Sequence, residues 1–245
     1  MMPTHTPFVQ QALMAKVWSV LFPAPDAGLI RTFAEQTTGP HLALGVAAGR
    51  EIEDTLAMGR RVIGVDANPD MLGVTRERFR NEFDRGQLRL VEDYFSEVDF
   101  PKDTGFITMM GNTLPMVLER SKRQLILQKA YDCLMINGKM LVVLHQNYPE
   151  GNSSREQVLD SEFGQITFKV RWEDNAEKTY RTYFAEILLG DQRESVEAPI
   201  ALMSMDEFLE DATKAGFERE ALFGDHDMSD YSTKSQFGIH VLVKK

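Results

Sequence analysis

Apolar positions recur at helical spacing through residues 8–33, at Val9, Leu13, Val17, Trp18 and Leu21, until Pro23 and Pro25 break the pattern. Residues 1–35 are therefore expected to form a helical arm ahead of the main domain. From 41 to 72 the pattern changes to a buried strand, a turn of small residues, a helix, and a second strand over 61–65 that ends on Asp66. Asn68 and Pro69 then supply a side-chain cap and a proline at the first helical position. Met71, Thr75, Phe79 and Phe83 follow four apart on one stripe, which predicts a single helix packed on a sheet. Short apolar runs at 87–91 and 104–110 end in Glu92-Asp93-Tyr94 and Gly111-Asn112. A helix over 120–136 is expected to stop at Asn137-Gly138, a pair suited to a helix C-terminus, before a strand over 140–144 enters His145-Gln146-Asn147-Tyr148. Alternation of this kind gives five parallel strands whose carboxyl ends share one edge.

Between 150 and 200 the period changes again. Partial two-residue alternation at 165–172 and 179–188, around the polar turn Glu173-Asp174-Asn175-Ala176, predicts an inserted antiparallel β-ribbon near the substrate site. A capping box, Ser204-Met205-Asp206-Glu207, opens a last helix with Met205, Phe208, Leu209 and Ala212 on one face, ended near Gly216. Strands over 217–223 and 237–243 close the chain. Its 245 residues suit one domain with a modest insertion.

Composition narrows the partners. A net charge of −10 repels a phosphate backbone, and no Lys/Arg cluster interleaved with aromatics offsets it, so no nucleic acid partner is expected. The single cysteine, Cys133, lies on the apolar side of a helical pattern, which excludes a disulfide framework and favours a packed core thiol over a nucleophile. No apolar run approaches the roughly 18 residues of a membrane span, and the N-terminus lacks a signal-peptide order. A cytoplasmic protein without a membrane partner, monomeric or homodimeric, is expected. Gly224-Asp225-His226-Asp227 offers metal ligands but lacks a second cluster at ligand spacing, so a polar loop closing near the substrate is expected and no metal.

The turn Gly45-Val46-Ala47-Ala48-Gly49-Arg50 carries the chemistry. Small residues at every second position let the backbone pass close under a ligand. Asp66, twenty-one residues after Gly45, stands where a carboxylate accepts hydrogen bonds from ribose hydroxyls. A dinucleotide turn, G-x-G-x-x-G, would need glycine in place of Arg50, which counts against a nicotinamide oxidoreductase. Gly45, Ala47 and Gly49 instead meet G-x-G-x-G with one alanine, and the turn resembles motif I of the class I S-adenosylmethionine (SAM) dependent methyltransferases. Ala15-Lys16-Val17-Trp18, Val65-Asp66-Ala67-Asn68-Pro69-Asp70-Met71-Leu72, Gly111-Asn112-Thr113-Leu114-Pro115 and His145-Gln146-Asn147-Tyr148 resemble segments of the glycine and glycine/sarcosine N-methyltransferase group.

The resemblance implies an α/β Rossmann-like fold: a seven-stranded, mostly parallel sheet with an antiparallel last strand. It implies SAM as cofactor, S-adenosylhomocysteine as product and a small-molecule acceptor, most simply the nitrogen of an amino acid or related amine. On the cofactor side stand Trp18, Gly45, Ala47, Gly49, Arg50, Asp66, Ala67, Met71, Asp93, Tyr94 and Gly111; Asp93 is either a partner of the adenine amino group or a solvated loop carboxylate. Asn112 borders both cofactor and acceptor, and it would act with His145 and Tyr148 in catalysis, while Gln146 and Asn147 supply amide contacts. Arg171, Arg181 and Tyr183 of the ribbon are candidate anchors for an acidic acceptor. Two departures stand out: Ala43 occupies the position of an acid in motif I, and Gln146 that of an arginine that holds the carboxylate of glycine. A neutral amide cannot replace that bidentate pair, which counts against glycine. An O- or C-methyltransferase of natural-product biosynthesis, or a non-catalytic SAM-fold binding protein, remains open.

Overall fold

A parallel sheet is apolar on both faces and needs helices on each. The computed structural model, which describes residues 11–22, 27–146 and 153–245, meets this need with seven α-helices among the described residues. They are α1 (Ala12–Leu21), α2 (Ala27–Ala34), α3 (Glu53–Ala57), α4 (Pro69–Arg78), α5 (Arg80–Asp84), α6 (Arg120–Cys133) and α7 (Met205–Lys214). Strands β1 (His41–Leu44), β2 (Val62–Asp66), β3 (Leu88–Glu92), β4 (Thr104–Met109) and β5 (Leu134–His145) run parallel. The insert comprises β6 (Ser153–Ser161), β7 (Gly164–Asp174), β8 (Tyr180–Leu189) and β9 (Gln192–Ala201), and the chain closes with β10 (Glu218–Phe223) and β11 (Phe237–Val243). The main sheet has the order β10-β11-β5-β4-β1-β2-β3, with β11 antiparallel to both its neighbours. This is the expected seven-stranded α/β sheet with its antiparallel last strand.

Strand alternation divides the core. Leu42, Leu44, Ile107 and Met109 pack with Ile126, Leu127 and Ala130 of α6 and Phe208 and Ala212 of α7. On the other face, Phe106 packs with Leu29, Ile30 and Phe33 of α2, and Ala43 with Ile52, Leu56 and Leu72. Cys133 is buried, its thiol directed at the Ala130 carbonyl, and burial pushes its pKa up to about 11. Among the described residues no helix is long and apolar enough to cross a membrane.

Three expectations need correction. The stripe Met71-Thr75-Phe79-Phe83 does not form one helix: Phe79 leaves helical geometry (φ −116°, ψ 38°) and divides α4 from α5. Phe79 is buried in the core beside Ala43 and Ile52, and its ring would lie 2.8 Å from a Cβ at Gly49, so packing at the turn sets its backbone. The helix expected over 120–136 ends at Cys133, and Asn137-Gly138 is part of β5 rather than a helix cap. Leu134 already pairs with Thr104, and Asn137, at φ 63°, donates its N–H to Lys244 O at 2.7 Å, so pairing partners distant in sequence outweigh the local stop signal. Finally, the insert is a four-stranded antiparallel sheet, not a two-stranded ribbon. Its edge strands β6 and β9 carry mostly charged and polar side chains and expose Val158 by 55%, which weakens the alternation that marks a strand in sequence.

Two core histidines make stability pH-dependent. His41 Nδ1 and Nε2 each lie 2.8 Å from a hydroxyl, of Thr55 and Thr108, and His240 packs its ring on Phe208. Burial holds both well below the usual imidazole value, to about 3. A histidine neutral when folded and ionisable when unfolded leaves stability intact above its unfolded pKa of 6.5, and that stability is lost as pH falls toward the folded value. Acidification from pH 7 to 5 is therefore expected to lower the melting temperature. His240→Phe should flatten that slope by about 1 kcal/mol per pH unit below 6.5. An unchanged slope in the variant would remove His240 from the account.

Candidate functional site

The chain leaves β1 through a turn that only small residues permit. Gly45 (φ 80°) donates its N–H to Val65 O at 2.8 Å, and a Cβ there would lie 2.6 Å from Thr113 Cγ2. Ala47 and Gly49 also have positive φ, 44° and 76°, and the Ala47 carbonyl accepts the Thr75 hydroxyl at 2.6 Å. Asp66, at the end of β2, fastens this turn to the next loop: Oδ2 accepts Ala47 N–H and Oδ1 accepts Asn68 N–H, both at 2.9 Å. Burial raises the Asp66 pKa, against the opposing pull of N–H groups of Asn68, Ala47 and Ala67. Each carboxylate oxygen has more than one acceptor position, so the clasp leaves capacity for hydroxyl donors. Asn68 caps α4 as expected, accepting from Asp70 and Met71.

Around the turn stand the other candidates. Asp93 follows β3, donating its N–H to Asp66 O at 3.2 Å while its Oδ1 accepts Tyr94 N–H. Above lies α1, whose Leu13, Met14 and Val17 join Ala48, Met71 and the inner face of the insert in one cluster, with Trp18 and Ala47 against it. The start of α1 is held by two carboxylates: Glu194 of β9 accepts Leu13 and Met14 N–H, both at 2.9 Å, and Asp70 accepts Gln11 N–H at 2.6 Å. An anionic group at a helix N-terminus is favourable. Arg50 Nη1 donates to Phe22 O at 2.9 Å, tying the end of α1 to the turn. A Cβ on Gly111 would meet no atom nearer than Arg50 Nη2 at 3.9 Å, so open space lies over the end of β4. A glycine cradle, a carboxylate at the next strand end and a gap bounded by Arg50 fit a nucleoside cofactor with an amino-acid tail.

The acceptor candidates gather beside this gap. Asn112, buried and at φ 65°, accepts the His145 N–H through Oδ1 at 2.9 Å and so locks the ends of β4 and β5 together. A cavity of about 210 Å³ opens here, lined by Asn112, Pro115, Leu144, His145 and Gln146 and by Ala201 at the end of β9 with residues 202–204 that follow it. The Gln146 amide donates to His145 O. The His145 ring lies 5.2 Å from that of Phe237, which in turn lies 4.6 Å from the ring of His226. Burial first, then the nearby His226 and Arg50, lowers the His145 pKa to about 4. His226, in the polar loop expected to close near the substrate, thus stands beside His145 through the Phe237 ring without lining the cavity; the loop was legible in the sequence, its contact with Phe237 was not. A larger cavity, about 380 Å³ beside Lys139 and Glu220, opens at the opposite edge of the sheet.

The ribbon candidates do not join this cavity. Arg181 is buried and paired with Asp174 through Nε and Nη2. Arg171 alternates with the inward Val170 and so faces outward, paired with Glu173 and stacked over Phe184 at 3.8 Å. Tyr183 packs beside Trp172, and burial raises its pKa. Asn147 and Tyr148 lie outside the described residues.

No protein-family profile and no curated protein matches the sequence. Solved structures do. The CcbJ methyltransferase from Streptomyces caelestis superposes with a TM-score of 0.79 at 19% identity, covering 92% of this chain and 98% of that one. CalS10, a SAM-bound amino pentose methyltransferase from Micromonospora echinaspora, gives 0.73 at 14% identity over 98% and 100% of the two chains. The sugar N-methyltransferase KedS8 from a Streptoalloteichus species gives 0.76 at 12% identity over 100% and 97%. The chain has the class I methyltransferase fold. Because the match extends over nearly the whole of both chains, it takes in the inserted sheet as well as the Rossmann-like sheet.

Proposed function

We propose that the protein transfers a methyl group from SAM to the nitrogen of a small, hydroxylated amine without a carboxylate, of the amino-sugar class, bound as the free base. The observation that carries this reading is the lining of the cavity at the ends of β4 and β5. Among the described residues it offers Asn112, Gln146, Ser204 and a neutral imidazole, with no charged side chain. Amides and hydroxyls suit sugar hydroxyls, whereas an amino-acid acceptor calls for a cation at its carboxylate. The two sugar-directed enzymes that share the fold, CalS10 and KedS8, support the same choice.

Bound SAM would supply an electrophilic methyl on its sulfonium. The protein's own task is positioning and exclusion of water. Gly45, Ala47 and Gly49 admit the cofactor, and Asp66 holds its ribose. The α1 roof shields the turn, and Asn112 fixes the strand ends against which the acceptor rests. His145, held near pKa 4, is a poor proton acceptor at neutral pH and acts as a neutral hydrogen-bonding wall.

The test is incubation with SAM and a panel of amino sugars, glycine, sarcosine and catechols, read by mass. Methylation of an amino sugar with glycine untouched is the expected result. Turnover confined to glycine would overturn the acceptor class, turnover confined to a hydroxyl the nitrogen assignment, and binding of NAD but not S-adenosylhomocysteine the reading as a whole.

A further inference from the structure

His41 and Ala43 fall on one face of β1, which rises toward Gly45 at the start of the glycine turn. Ala43 is the register partner of Thr108 in β4, and the Thr108 hydroxyl donates to Glu51 Oε1 at 3.0 Å. The Glu51 carboxylate therefore lies over the Ala43–Thr108 pair, two residues or about 7 Å of strand below Gly45. Ala43 is fully buried and carries no carboxylate of its own, and Glu51 is only 5% exposed. Its neighbour Arg50 goes the other way, to Phe22 O and the gap over Gly111. Consecutive residues of one 3-10 helix (Arg50–Ile52) thus set a guanidinium above the turn and a carboxylate below it. That pair is complementary to the α-carboxylate and α-ammonium of an amino-acid tail.

We propose that Glu51 is the carboxylate that draws the ammonium of the cofactor's methionine end into place, in a chain that has no acid at position 43. The inference rests on the SAM reading above. A buried carboxylate gains most from a cation that reaches it away from water, and the methionine end brings one. Thr108, held in turn by His41, fixes the direction from which Glu51 acts.

The experiment is isothermal titration with S-adenosylhomocysteine and with its analogue carrying hydrogen in place of the α-amino group. The wild-type protein should bind the parent compound roughly 30-fold more tightly than the analogue, the span expected for a hydrogen bond to a charged group. Glu51→Gln, which keeps the bond from Thr108 but removes the charge, should bind the two alike by weakening only the parent. Equal wild-type affinities would overturn the proposal without reference to the variant's folding. Equal weakening of both ligands in Glu51→Gln would overturn it in favour of a structural role. Wild-type protein that binds neither ligand would overturn the SAM reading itself and this inference with it.

Discussion

Asp66→Ala is expected to lower affinity for S-adenosylhomocysteine by about 100-fold or more in isothermal titration, with little change in the far-ultraviolet spectrum. The substitution acts twice. On the proposed function it removes a buried carboxylate that accepts ribose hydroxyls, and hydrogen bonds to a charged group contribute about 1.5–3 kcal/mol each. It also releases the Ala47 and Asn68 N–H groups, so the turn and the β2–α4 loop lose the clasp that sets their spacing. Two lost ribose bonds at the low end of that range amount to about 3 kcal/mol, hence the 100-fold figure. Asp66→Asn separates the effects, since its amide oxygen still accepts one N–H but carries no charge. Affinity unchanged in Asp66→Ala would remove ribose from the site.

Gly105→Ala is the substitution expected to cost most in stability. Gly105 is buried at the start of β4, and a Cβ there would lie 1.4 Å from the Thr38 backbone oxygen. That oxygen cannot simply retreat. Residues 38–40 are held against β4 by Gly105 N–H and Phe106 N–H, both to Pro40 O, and by Arg60, which donates Nε and Nη2 to Gly39 O and Nη1 to Ala34 O. Relief requires the central strand of the sheet to move, so a loss of about 4 kcal/mol or more is expected. For a domain of this size that is a fall of roughly 8–16 °C in melting temperature, or failure to accumulate folded protein. Gly73→Ala is the control, because no atom lies within 4 Å of its Cβ position in α4. Helix propensity there favours alanine by about 1 kcal/mol. Equal melting temperatures for the two variants would show that the strap over β4 yields more easily than its hydrogen bonds imply.

Both residues are glycines or acids of ordinary appearance in the sequence, yet only one was legible there. Asp66 follows a strand and precedes an Asn-Pro helix start at a fixed interval from the glycine turn, so its place is set by neighbours within about 20 residues. Gly105 carries no such mark, since its reason is a backbone segment brought over it by Arg60. The same distinction separates Asn68 and Ser204, whose caps act within three residues as expected, from Asn137, whose cap signal was overridden by pairing with Lys244. It also explains the ribbon arginines. Charge on a two-residue period says which face a side chain takes but not that Asp174 waits beside Arg181 or Glu173 beside Arg171.

The sequence by itself determined the alternation of strands and helices through the parallel part of the main sheet, the two strands that close the chain, the glycine turn with Asp66 beyond it, and the two cap-led helices. These follow from hydrophobic period and from hydrogen bonds between near neighbours, which act before the chain is folded. Only the tertiary structure decided where α6 stops, that the insert has four strands, that His226 stands across Phe237 from His145, and that Glu51 is bound by Thr108, the strand neighbour of Ala43. It alone joined Glu194 to the start of α1, across 181 residues of sequence. Contacts of that separation exist only once the sheets are assembled, and no local period or spacing encodes them.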